Sequence, residues 1–101
     1  MDQPIEIMVL RVLCLGTPQG SVKETGKSLL RDYHWQNALH QVLWNAICAI
    51  PSENPEILRQ LLPAQLTRLG FPDVEWEELF APHSISREEA ISLMRRMVRG
   101  E

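Results

Sequence analysis

Apolar residues recur along most of this chain at steps of three and four, and strict apolar–polar alternation persists nowhere. That period belongs to helices with one buried face, not to strands. The clearest stretch is Tyr33 to Ile50, YHWQNALHQVLWNAICAI, in which Trp35, Leu39, Val42, Leu43, Ala46, Ile47 and Ile50 share one helical face. It predicts a helix over about 35–50, stopped by Pro51 and placed at the structural centre.

Punctuation marks five more helices. Asp2 or Gln3 can cap a first helix, with Pro4 in its first turn and Gly16 closing it in a left-handed conformation. Ile5, Met8, Val9, Val12, Leu13 and Leu15 leave little of that helix polar, so it too is expected to be central. Ser21 and Glu24 form a capping-box pattern for a short second helix carrying Val22, Leu29 and Leu30. Gly26 weakens that helix by roughly 1 kcal/mol relative to alanine. After the tryptophan helix, Asn54-Pro55 opens a fourth, with Ile57, Leu58, Leu61 and Leu62 inward, a kink or break at Pro63 and a stop at Gly70. Asp73 is expected to cap a short acidic helix with Trp76, Leu79 and Phe80 available for the core. Residues 81–84 form a loop. A second capping box, Ser86 to Glu89, with Ile85 and Ala90 as a hydrophobic staple, opens a last helix presenting Ile91, Met94, Met97 and Val98. The prediction is an all-α, compact bundle of about six short helices in one domain, residues 1–101.

Composition narrows the function more than the fold. With 45% hydrophobic residues in 101, the chain can build one core but has little material for an enclosed active site. Ten basic and 13 acidic residues leave a net charge of −3, which is no footprint of general nucleic-acid binding. The charge is uneven: residues 53–80 hold six acids against Arg59 and Arg68, while the last fifteen residues hold four arginines against three glutamates. The N-terminal apolar run carries Asp2, Glu6 and Arg11, and reads as neither a signal peptide nor a membrane span. A soluble, cytoplasmic protein is expected.

Chemistry-bearing residues are sparse. His34 and His40 are six apart, no CxxC or HExxH occurs, and so no metal or cofactor is expected. Cys14 and Cys48 sit in apolar runs, where free, protonated and inert thiols are the default; a disulfide between them is not favoured. Glu75, Glu77 and Glu78 beside Asp73 suit a helix N-terminus better than an acid–base pair. Arg95, Arg96 and Arg99 could touch phosphates, but they also suit the end of a helix. Three tryptophans, Trp35, Trp44 and Trp76, exceed what packing demands, and tryptophan is enriched where proteins bind one another.

The order of features over roughly residues 5–62 resembles the N-terminal helical domain of the bacterial replicative helicase DnaB. That family carries Phe-Tyr-x-x-x-His-x-x-(Ile/Leu)-(Phe/Tyr)-x-Ala; Trp35 stands at the first aromatic, His40 at the histidine, and Trp44 and Ala46 at the later pair. Gln36 and Ala38 depart from it, where the family has a second aromatic and usually proline. The C-terminal helicase-binding domain of primase DnaG is similar in fold. No GxxxxGK[ST] loop occurs, so the resemblance implies a helical interaction domain in bacterial DNA replication and no helicase activity. It also implies a structural, half-buried His40.

Three readings follow. The first is a non-enzymatic module that binds another protein, such as a replication component, or itself, with Trp35, His40, Trp44 and Trp76 as its signature. The second is a nucleic-acid-binding or transcription-regulating domain using Arg95, Arg96 and Arg99. An enzyme pairing His40 with a cysteine is the third, and it needs a polar cleft around the histidine.

Overall fold

The computed structural model of the chain describes residues 5–100. Its six helices are α1 (Ile5–Leu15), α2 (Lys23–Leu29), α3 (Ala38–Ala49), α4 (Pro55–Arg68), α5 (Trp76–Leu79) and α6 (Arg87–Arg99). Among the described residues there is no strand, only an isolated bridge from Thr17 to Gly20 across a tight turn. The helices close into a globule with a radius of gyration of 12.5 Å. The expected cap at Asp2 or Gln3 lies outside the described residues.

The centre is α1, not the tryptophan helix. It packs against α3, α4, α5 and α6, whereas α3 packs chiefly on α1 and α4. Val9, Leu10, Val12, Leu13 and Cys14 are all buried, and a helix so nearly apolar around its whole girth is stable only when enclosed. Gly16 ends it at φ +75°, its N–H donating to the Val12 carbonyl at 2.7 Å.

Several starts differ from expectation. α3 begins at Ala38, because Asn37 takes the cap and accepts from the N–H groups of Leu39 (2.8 Å) and His40 (3.4 Å). Trp35 therefore precedes the helix. The Ser21 box does not form either: Ser21 Oγ accepts from the N–H of Lys23 at 3.2 Å, and Val22 occupies the cap without a side-chain bond. Burial of Val22 and Lys23 moves the start past the serine. Asp73 does not cap α5, which is one turn beginning at Trp76 after Val74 has packed onto the core. At Ser86 the box half forms, with Oγ accepting the Glu89 N–H at 3.2 Å and the hydroxyl donating to the Glu89 carboxylate.

The inward faces of α4 and α6 are narrower than expected: Leu58, Leu62, Met94 and Met97 are buried as predicted, while Ile57, Leu61 and Val98 are not. In α4 the fully buried set is Leu58, Leu62 and Leu66 at four-residue steps. Ile57 (39% exposed) and Leu61 (47%) each lie one residue, about 100°, behind that set and face outward. Pro63 does not break α4, since Leu62 and Leu66 anchor the turns on either side of it. In α6, Ala90, Met94 and Met97 point inward while Val98 is exposed.

Gly26 reverses its sequence meaning. A Cβ there would lie 2.8 Å from Leu13 Cδ2, so any larger residue obliges the buried Leu13 side chain to shift. Lys23 is buried as well, and its ammonium donates to the carbonyls of Ile50 and, at 2.9 Å, Ser52. This capping of the α3 C-terminus by a cation ties α2 to the end of α3. Burial, then the charge of Lys27, holds the Lys23 amine below its usual range.

Candidate functional site

The side chains that matter converge where α1, the 33–37 loop and α3 meet. Glu6, in the first turn of α1, is buried, and its carboxylate accepts three bonds: Tyr33 O–H at 2.6 Å, Gln36 N–H at 2.7 Å and His40 Nδ1 at 2.8 Å. Burial pushes the Glu6 carboxyl up, but the bonds from Gln36, Tyr33 and His40, with the charge of His40, outweigh it and leave the group below its ordinary value. The same burial, with Glu6 beside it, pushes the Tyr33 phenol up to about 12. An ionised carboxylate only accepts, so the His40 Nδ1–H faces Glu6 and Nε2 remains for another group.

His40 lines a groove of about 270 Å³. Its floor and walls are aliphatic: Leu43 and Leu79 are buried, and Ile7, Leu39 and Val74 are half-buried. Asp73, Glu75 and Glu78 form an exposed acidic rim, and no lysine or arginine lines it. The rim is placed by the end of α4. There Gly70, at φ +91°, donates to the Thr67 carbonyl at 3.1 Å and Phe71 to the Leu66 carbonyl at 2.8 Å. This paired closure of a helix end turns the chain back and lays Pro72 to Val74 beside Leu39.

No family model, curated protein or solved structure matches this chain.

The other expected site residues are scattered. Trp35 is half-buried in the loop before α3, edge-on to Tyr33 (5.2 Å between centroids) and tilted over the buried Trp44 at 5.8 Å. These two tryptophans and His40 thus do flank one junction, although one of them is off the helix. Trp76 packs instead on Phe80 at 6.4 Å, with the Arg59 guanidinium over the Phe80 ring. Arg95, Arg96 and Arg99 are exposed on α6. Cys14 and Cys48 are free, and neither lines the groove with His40. Burial pushes the Cys14 thiol up to about 12 and raises that of Cys48, so neither is a thiolate at neutral pH. Among the described residues, no three His, Cys, Asp or Glu side chains converge as a metal ion would need.

Glu6 and Lys23 escaped the sequence reading as site and core residues. The available signal was a lone acid inside the apolar run IEIMVL and a lone cation next to Val22. A charge at such a position must find a partner when its helix is enclosed.

His40→Gln is expected to lower the melting temperature, because a flexible amide loses more rotamer freedom than the imidazole in meeting Glu6 and does not fill the ring's place. Calorimetry with elemental analysis of protein purified without added metal checks it. Stoichiometric zinc, lost in the variant, would overturn the structural role.

Proposed function

We propose that this domain is a non-enzymatic protein-interaction module that docks a partner in the groove between α1, α3 and the 73–79 segment. The observation that carries the reading is the groove itself, an open aliphatic trough of about 270 Å³ with charge only at its rim. Enclosed small-molecule sites are typically about 300–1,000 Å³, so a side-chain anchor suits this one better. The outward Ile57, Leu61 and Leu69 add apolar surface of the kind that partners cover. The resemblance of residues 5–62 to the DnaB and DnaG helical domains supports a partner from bacterial DNA replication. No helix among the described residues is long and apolar enough to cross a membrane. Neither Cys14 nor Cys48 lines the trough with His40, so the described residues do not form the histidine–cysteine pair of the enzyme reading.

Affinity capture from lysate of the source cells, run in parallel with wild-type protein and Leu39→Arg, tests the module. A protein retained by the first and lost by the second, with unchanged circular dichroism, supports it. Equal retention by both would place the interface elsewhere.

The exposed arginines of α6 favour the second reading, nucleic-acid binding. Replacing Arg95, Arg96 and Arg99 by glutamine is expected to leave folding intact, since all three are exposed. If phosphate binding were the function, the triple variant would flatten the salt slope by roughly 2–3 units. Fluorescence anisotropy with labelled duplex at low and moderate salt decides it. The expected result is weak background only, given the net charge of −3.

A further inference from the structure

We propose that the segment docking in this groove presents one aliphatic side chain flanked by lysine or arginine. The inference rests on the interaction reading and names the chemistry of its partner. Half-buried Ile7, Leu39 and Val74, lying over the buried Leu43 and Leu79, offer an incoming side chain mainly hydrocarbon, so an aliphatic anchor gains by leaving water and a polar one loses its hydrogen bonds. The dimensions admit an anchor of one or two side chains and no more. Around it the only formal charges on the rim are carboxylates, with Asp73 and Glu75 exposed on either side of Val74.

Exposed Glu77 and Glu78 follow closely after Glu75 along the chain and add charge of the same sign. A nucleic-acid backbone or an anionic membrane surface is repelled by this rim; a basic peptide is drawn to it. His40 also lines the groove, its ring held by Glu6 at 2.8 Å, so that part of the wall is pre-set before the partner arrives.

Selection from a random peptide display library on the full chain tests the proposal. Three immobilised proteins are compared: wild type, Leu39→Arg to block the trough, and the pair Asp73→Lys with Glu75→Lys, which changes exposed positions only and leaves the core intact. The expected result is wild-type enrichment of peptides with an aliphatic residue close to lysine or arginine. Their affinity should fall by about tenfold or more on the charge-reversed protein and weaken with added salt. Enriched peptides that are neutral or acidic, or that bind the charge-reversed protein equally well, overturn this inference and leave the interaction module standing. Enrichment no different from that on Leu39→Arg removes both. Sedimentation velocity on the three proteins covers one further occupant. Self-association lost on charge reversal would put a second copy of the chain in the groove, overturning a separate partner.

Discussion

Glu6→Ala is expected to destabilise the domain by about 1–3 kcal/mol or more, the usual cost of leaving a buried hydrogen-bonding group unsatisfied. The carboxylate accepts from Tyr33, Gln36 and His40 at once, so its loss leaves a phenol, a backbone N–H and an imidazole without their acceptor. The same group sets an acid sensitivity. The Glu6 carboxyl is held below its ordinary 4.5 in the folded chain. A carboxyl depressed by folding contributes stability that is complete above the unfolded value and fades as pH falls through the lower folded value. Urea unfolding of wild type is therefore expected to weaken in acid, below the ordinary carboxylate range. In Glu6→Gln that part of the loss should vanish while stability at neutral pH is already reduced. A neutral-pH change within about 0.5 kcal/mol in Glu6→Ala would mean that water satisfies the cluster.

Leu43→Ala and Ile47→Ala are each expected to cost about 2–5 kcal/mol, the range for emptying a closed core position. Leu43 is 1% exposed and Ile47 is fully buried, on the face of α3 that meets α1 and α4. For a domain of this size, each kcal/mol is worth roughly 4–8 °C of melting temperature. Val98→Ala provides the contrast. With Val98 51% exposed, it should stay within about 0.5 kcal/mol of wild type. Losses below about 1 kcal/mol at both α3 positions would show that this face meets solvent or a partner.

The helices themselves were legible in the sequence because their signals are local. Asn54-Pro55, Ser86 and Gly16 act through bonds to residues at most four positions away, and each does in the fold what its chemistry dictates. Period alone sufficed for the all-α class, and an apolar girth sufficed to bury α1. Where two local signals compete, tertiary packing decided. Asn37 outbid the aromatic run before it as the start of α3, and Val22 and Lys23 displaced Ser21 at the start of α2.

The candidate site was legible only in fragments. His40 and the two nearby tryptophans stood out as residue types, but the carboxylate that holds the imidazole lies 34 positions away. Nothing local links Glu6 to His40. The groove is less legible still, since Ile7, Leu39, Val74 and Leu79 come from three helices and a loop. Sequence alone determined which segments are helical, because a hydrophobic period and a cap are properties of neighbours along one chain. Only the tertiary structure decided how wide a face of α4 and α6 turns inward, what a side chain at Gly26 would meet and where the acids of the middle region stand. Those depend on which helices cross, and crossings bring together atoms whose separation along the chain carries no trace of their distance in space.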